Sequence, residues 1–187
     1  MSGSFKIKGG KQLQGEITPQ GAKNEALQIL CAVLLTDEEV RVKNIPDIHD
    51  VNRLIEILGD FGVKITNNAH GDYTFKSDAV NFDYSKSNDF KKDGSRLRVS
   101  IMLLGPMLAR YGEAYMPTPG GDKIGRRRLD THFQGFVELG AEFHYDETEY
   151  LYSLKAKELH GKFILLEEAS VTGTANIVMA AVLAKGK

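Results

Sequence analysis

The sequence predicts an α/β protein in which the helices are central and the sheets lie outside. Three of its predicted helices are apolar on almost every side, which is expected of helices surrounded by protein. The predicted strands alternate apolar and polar residues, as in sheets with one solvated face. The same order of elements also recurs along the chain. This arrangement is the reverse of a doubly wound fold, in which helices cover a central sheet.

Five segments are predicted to be helices from their apolar runs or helical periodicity. They are residues 23–35, 48–61, 96–111, 129–139 and 174–185. The second and fourth are amphipathic, and the other three are apolar nearly all round. Gly105-Pro106 interrupts the third, because proline lacks the N–H that continues a helix.

Eight short stretches alternate apolar and polar residues and are predicted to be strands. They are residues 5–8, 40–43, 63–66, 73–76, 114–116, 141–145, 150–155 and 162–166. Apolar helices end at Leu35, near Leu108 and near Leu183, so the end of an apolar helix recurs after 73 residues and again after 75. An amphipathic helix and further strands follow the first two of these helices. We therefore expect two complete repeated units and a third that is truncated after its first helix.

Composition limits the partners that this protein can have. Its 24 Lys and Arg residues balance 25 Asp and Glu residues, so no overall charge attracts nucleic acid or a membrane surface. One cysteine, Cys31, cannot form an internal disulfide, and its apolar surroundings indicate a core position. The N-terminus lacks the apolar segment of a secretory signal, and the longest apolar run, 29–35, is too short to span a membrane. We expect a cytoplasmic protein without nucleic-acid or membrane partners.

Two helix starts are candidate anion sites. Residues 19–25 (PQGAKNE) open the first helix, where N–H groups attract anions and Lys23 adds a charge. Taken by itself, this pattern favours a capped helix with an exposed lysine. Arg98 lies at the head of an apolar helix, although cations favour the opposite end. A bound phosphate explains Arg98, and so does a surface arginine whose alkyl stem packs on the protein.

Two later segments are also candidates. Residues 117–130 contain three glycines and then three arginines, so Asp122 in this loop is a candidate proton donor to an anionic substrate. A solvated turn explains the same pattern equally well. Residues 169–176 (ASVTGTAN) suit a diphosphate, although helix capping by Thr172 or Thr174 is the stronger local interpretation. The five histidines show no metal-ligand spacing, and residues 126–128 lack the interleaved aromatic residues of a nucleic-acid surface.

Four of these segments, in this order and spacing, resemble the UDP-N-acetylglucosamine 1-carboxyvinyltransferases, a family of enolpyruvyl transferases. They are GAKNEAL (21–27), LRVSIMLLGPMLAR (97–110), PGGDKIGRRRLDTH (119–132) and SVTGTANIVMAAVLAKG (170–186). The resemblance implies transfer of the enolpyruvyl group from phosphoenolpyruvate to the 3′-hydroxyl of UDP-N-acetylglucosamine, a step of peptidoglycan precursor synthesis that releases phosphate. The alternatives are a shikimate 3-phosphate enolpyruvyl transferase, a non-catalytic nucleotide-sugar-binding domain and a basic-loop nucleic-acid binder.

The resemblance also implies the roles of particular residues, and it implies no cofactor and no metal. Asp122 matches the general acid, which works with Lys23 and Arg127, while Lys23, Asn24 and Arg127 match contacts to phosphoenolpyruvate. The residues that match contacts to UDP-N-acetylglucosamine are Asn24, Arg98, Arg127, Arg128, Leu129, Asp130, Thr131, Glu168, Ala169, Ser170 and Val171. Most members carry cysteine at position 122, which the epoxide antibiotic fosfomycin alkylates, so Asp122 implies resistance. Arg128 stands where a proline is usual, and Thr131 stands where an aliphatic residue is common.

Members of the family are more than twice as long as this chain. They contain two inside-out, barrel-like α/β domains, each built from three repeated units. The resemblance implies that residues 1–20 are a strand segment belonging to the second domain and that residues 21–187 form an incomplete first domain. Since the missing second domain completes the site, we expect this chain to be inactive by itself.

Overall fold

The computed structural model describes residues 4–120 and 128–187. In these residues it contains both helices and strands, which confirms the α/β class. The α-helices are α1 (Lys23–Ala32), α2 (His49–Asp60), α3 (Asn88–Gly94), α4 (Leu104–Tyr111), α5 (Asp130–Glu138) and α6 (Val171–Ala181). The strands are β1 (Glu39–Val42), β2 (Lys64–Ala69), β3 (Asp72–Lys76), β4 (Glu113–Pro117), β5 (Glu142–Asp146) and β6 (Leu151–Lys155). Three 3-10 helices cover Val33–Leu35, Phe82–Lys86 and Arg98–Leu103.

The two sheets have the same topology. Their strand orders are β1-β3-β2 and β4-β6-β5, and all neighbouring strands are antiparallel. In each unit a helix and a strand precede a second helix, and the last strand lies in the middle of the sheet. Gly62 and Gly140 follow the second helix of each unit with φ of 87° and 100°, a left-handed conformation that favours glycine. The repeat predicted from the sequence is confirmed.

Helix α6 contacts both α1 and α4 in the interior. Leu30, Leu104 and Ala180 on these helices are at most 1% exposed. Glycine allows a close approach between α4 and α6, because a Cβ on Gly105 would lie 2.4 Å from a backbone oxygen of α6. These residues of the three apolar helices are therefore buried, although Val182 beside the end of α6 is 62% exposed.

Several predicted helix boundaries are wrong. The segment 96–111 is a 3-10 helix followed by α4, and Pro106 lies in the first turn of α4, where its missing N–H costs little. Helix α6 begins at Val171, three residues before the predicted start. The sequence analysis also missed α3 and the 3-10 helix before it, which are short and mostly polar apart from the buried Phe90 and the partly buried Phe82 and Tyr84.

Two predicted strands, 5–8 and 162–166, are not strands in the structure. Phe5 is 97% exposed and Phe163 is 88% exposed. A strand needs a neighbouring strand to satisfy its backbone groups, and neither segment is paired in the two sheets. Within the described residues, no helix is long and apolar enough to cross a membrane.

Candidate ligand-binding cleft

Several helices begin at one cleft of about 1040 Å³. Its lining includes residues from the starts of four helices and Leu129, which lies just before α5. They are Lys23 and Asn24 of α1, His49 and Asp50 of α2, Val171 and Thr172 of α6, and Arg98 and Val99 of the 3-10 helix Arg98–Leu103, called here the second-unit 3-10 helix. The first N–H groups of a helix have no partner within the helix, and they carry partial positive charge. The convergence of these N-termini favours a negatively charged ligand.

Charged side chains add to this field but are paired with carboxylates. The Lys23 ammonium forms an ion pair with Asp50 at the start of α2. Arg128 Nε donates a 2.6 Å hydrogen bond to Asp130, which raises the pKa of the guanidinium above its ordinary value. Arg96 lies 4.0 Å from Asp93. An anionic ligand must therefore share these cations with the carboxylates that already hold them.

A buried polar network lies beneath the cleft. His132 is 2% exposed and Asn176 is fully buried, and the Asn176 Nδ2 atom lies 3.0 Å from His132 Nδ1. Asn176 also donates to the Ile101 carbonyl at 2.8 Å and accepts from the Gly105 N–H at 2.9 Å. These contacts connect α5 and α6 to the second-unit 3-10 helix and α4.

The imidazole of His132 is uncharged at neutral pH. Burial, together with the smaller effect of the nearby positive charge of Arg98, lowers the pKa of His132 to about 4. On its other side, His132 Nε2 lies 3.4 Å from Thr172 Oγ1. The network therefore reaches the surface of the cleft through Thr172, which is exposed and lines it.

The start of α6 is capped differently from the prediction. Ser170 is the N-cap, and its hydroxyl accepts a 3.1 Å hydrogen bond from the Gly173 N–H. Thr172 and Thr174 both follow the cap and lie within the helix, because the helix begins three residues earlier than predicted. The Thr172 hydroxyl is thus available to contact His132 instead of capping the helix.

The structure brings most of the predicted site residues together. Those that line the cleft are Lys23, Asn24, Arg98, Arg128, Leu129, Glu168, Ser170 and Val171. Among the described residues, Asp130, Thr131 and Ala169 do not line it. Thr131 is buried, and its hydroxyl has no hydrogen-bond partner among the described residues. Asp122 and Arg127 lie outside the described residues.

Sequence reasoning missed other residues of the cleft and the network beneath it. They include Gln28, His49, Asp50 and His132. Thr172 and Asn176 lie in the segment 169–176, which the sequence marked as suiting a diphosphate but for which helix capping was the stronger interpretation. His132 was set aside because it lacks metal-ligand spacing, and no group of three metal-ligating side chains occurs in the part of the chain that the structure describes. The sequence does contain a signal for this network, since Asn176 is the polar residue in the otherwise apolar run 175–184.

Proteins similar to this chain in sequence share one enzyme name. The chain is 60% identical over 184 residues to a UDP-N-acetylglucosamine 1-carboxyvinyltransferase of Bacteroides fragilis, and 45% identical over 183 residues to one of Borreliella burgdorferi. Each alignment covers 98% of this chain. The chain spans 42% of the first relative's length and 41% of the second's.

Solved structures show the same fold at low sequence identity. The enolpyruvyl transferase NikO from Streptomyces tendae matches with a TM-score of 0.74 and 17% identity, over 95% of this chain and 41% of that chain. An EPSP synthase from Acinetobacter baumannii matches with a TM-score of 0.66 and 18% identity, over 92% and 39%. The family model described as EPSP synthase (3-phosphoshikimate 1-carboxyvinyltransferase) matches residues 7–187. With the fold, the family model and the close relatives in agreement, the chain belongs to the EPSP synthase family of enolpyruvyl transferases.

Proposed function

We propose that this chain is part of an enzyme that transfers the enolpyruvyl group from phosphoenolpyruvate to the 3′-hydroxyl of UDP-N-acetylglucosamine. The observation that carries the proposal is that residues from all four motif segments line one cleft where helix N-termini converge. The names of the 60% and 45% identical relatives favour the nucleotide sugar over shikimate 3-phosphate as acceptor. Both proposed substrates are anions, which the helix N-termini at this cleft favour.

In the proposed reaction, the sugar hydroxyl gives up its proton to solvent and its oxygen attacks C2 of phosphoenolpyruvate while C3 takes a proton from the general acid, which gives a tetrahedral ketal. Loss of phosphate and of a C3 proton then leaves the enolpyruvyl ether. Positive charge develops at C2, so the site must stabilise charge and exclude water. We assign the proton donation to Asp122 and the second phosphoenolpyruvate cation to Arg127.

Lys23 and Asn24 are the proposed contacts to phosphoenolpyruvate. The Lys23 ammonium has three N–H donors, so it can keep its ion pair with Asp50 and still donate to a phosphate oxygen. Asp50 holds the lysine at the start of α1, where the N-terminal amides of the helix add to its positive charge. The Lys23 ammonium and the N-terminal amides of α1 also suit the phosphate dianion that leaves in the second step.

We also assign the nucleotide sugar to this cleft. Arg98 and Arg128 supply charge for its diphosphate, and residues 168–171 form the turn into α6 that approaches it. The remaining proposed contacts are Asn24, Arg127, Leu129, Asp130 and Thr131. Thr131 has a buried hydroxyl without a partner among the described residues, so a role for it requires a shift of the start of α5.

The proposed domain organisation is that of an incomplete first domain. Two repeated units and α6 support an inside-out, barrel-like domain over residues 21–187, with α6 opening a third unit. We assign residues 1–20 to a second domain, which agrees with 97% exposure of Phe5 and 90% exposure of Ile7. Because an open cleft cannot exclude water, this chain is expected to be inactive by itself.

Release of phosphate tests the proposal. The assay compares this chain with a chimera in which it is joined to the part of the Bacteroides fragilis relative that it does not span. We expect turnover by the chimera alone, with UDP-N-acetylglucosamine as acceptor, and loss of turnover in Lys23→Ala but not in Lys43→Ala, an exposed lysine outside the cleft. Preference for shikimate 3-phosphate would overturn the assigned acceptor. Binding of UDP-N-acetylglucosamine without turnover in the chimera would indicate a non-catalytic binding domain.

The assignment of Asp122 has its own test. A carboxylate is a poorer nucleophile than a thiolate, so fosfomycin should leave the chimera active at concentrations that inactivate a cysteine-bearing relative. Asp122→Cys should introduce time-dependent inactivation. Inactivation of the unsubstituted chimera would contradict the assignment.

A further inference from the structure

The buried network beneath the cleft has a fixed hydrogen-bond direction. The Gly105 N–H can only donate, so the Asn176 atom that it contacts must be the carbonyl oxygen Oδ1. The Ile101 carbonyl can only accept, so its contact must be the amide nitrogen Nδ2. Two backbone groups therefore set the orientation of the amide without reference to the histidine.

This orientation determines which nitrogen of His132 carries the proton. Asn176 Nδ2 has only N–H groups to offer to His132 Nδ1, 3.0 Å away, so Nδ1 must accept. A neutral imidazole with an accepting Nδ1 carries its hydrogen on Nε2. That nitrogen then donates to the Thr172 hydroxyl oxygen at 3.4 Å.

In this series of hydrogen bonds, the hydroxyl group of Thr172 is the last donor. Since Thr172 Oγ1 accepts from His132, its own hydrogen is directed away from the imidazole. Thr172 is exposed and lines the cleft. We infer that Thr172 is a ligand-binding residue, and that His132 and Asn176 position its hydroxyl to donate to an anionic oxygen of the ligand.

The start of α6 offers further donors at the same place. The Gly173 N–H is used by the Ser170 cap, whereas the N–H groups of Val171 and Thr172 lie in the first turn, where a helix provides no acceptor. Thr172 can thus present a backbone N–H and a side-chain O–H to one ligand. If the proposed function holds, on which the identity of the ligand rests, the acceptor is a diphosphate oxygen of UDP-N-acetylglucosamine.

Nitrogen NMR of this chain tests the positioning without any ligand. The ¹⁵N shifts and two-bond couplings of the His132 ring should show a proton on Nε2 and none on Nδ1 at pH 7. In Thr172→Val the same tautomer should persist, because Asn176 and not Thr172 sets it. A proton on Nδ1 in the unsubstituted chain would overturn the inference.

Calorimetry with UDP-N-acetylglucosamine on the chimera tests the binding role. Thr172→Val, which removes only the hydroxyl, should weaken binding about tenfold or more, because a hydrogen bond to a charged oxygen is lost. Thr172→Ser should bind within about twofold of the unsubstituted protein, and the matched control Thr174→Val should be unchanged. Equal binding by Thr172→Val would overturn the inference and leave the proposed function standing. No binding by the unsubstituted chimera would overturn the proposed function, together with the ligand named here.

Discussion

Replacement of Asn176 by alanine should destabilise the fold strongly. The side chain is fully buried and makes hydrogen bonds to the Gly105 N–H, the Ile101 carbonyl and the His132 ring. Alanine leaves all three groups buried without these partners. A buried polar group that loses its partner costs about 1–2 kcal/mol, so the expected loss of unfolding free energy is about 4 kcal/mol. That is a large fraction of the roughly 5–15 kcal/mol that stabilises a typical domain.

Urea unfolding measures this loss directly. With a slope of about 2 kcal/mol per molar urea, the midpoint should fall by about 2 M while the slope stays constant. Asn52→Ala is the matched control, because Asn52 is also helical but donates to Asp47 at an exposed position. Its effect should stay within about 0.5 kcal/mol. Equal midpoints for the two variants would refute the claim that the buried amide holds the helices together.

Three further changes test other parts of the structure. Because burial lowers the pKa of His132 to about 4, below the ordinary 6.5, the unfolded chain binds more protons between these values, and His132 should remove about 3 kcal/mol of stability as the pH falls from 7 to 4. Urea titrations at pH 7 and pH 4 measure the loss of unfolding free energy, and the part contributed by His132 should be absent from the His132→Phe variant. An equal loss in the two proteins would contradict the lowered pKa of His132. Gly105→Ala should cost about 2 kcal/mol or more, since its Cβ would lie 2.4 Å from a backbone oxygen of α6, whereas Gly59→Ala, with its nearest neighbour at 3.7 Å, should gain about 0.5–1 kcal/mol. Thermal unfolding separates these two, and a gain in both would disprove the close helix contact. Ser170→Ala removes the cap of the Gly173 N–H and should cost about 1 kcal/mol in the same assay, with no change expected if the cap is dispensable.

The order of the elements followed from local patterns. Apolar runs at helical spacing identified α1, α2 and α5, because helices bury whole faces and the sequence must supply them. The glycines after α2 and α5 marked the ends of both helices, since a left-handed residue is needed there. Arg98 was found because a cation at a helix start is unusual without an anion nearby. Lys23 was noted because it adds a charge to the free N–H groups of a helix start, although the local pattern favoured an exposed lysine.

Other features depended on neighbours that no local pattern specifies. Residues 5–8 and 162–166 alternate like strands, but a strand forms only where another strand is available to pair with it. Glu168 was singled out only by resemblance to a family, and the local pattern around Ser170 and Val171 favoured helix capping over a ligand site. That they line the same cleft as Lys23, more than a hundred residues earlier in the chain, is visible only in the folded molecule.

By itself, the sequence determined where the longer helices lie, that the order of elements repeats, and which helices are apolar enough to lie inside, because periodicity and turn chemistry act over a few residues. Only the tertiary structure decided that Asn176 meets His132, 44 residues away, and Gly105, 71 residues away. Hydrogen-bond direction is a property of such contacts between distant segments. For that reason the tautomer of His132 and the orientation of Thr172 toward the cleft emerge from the fold and not from any motif.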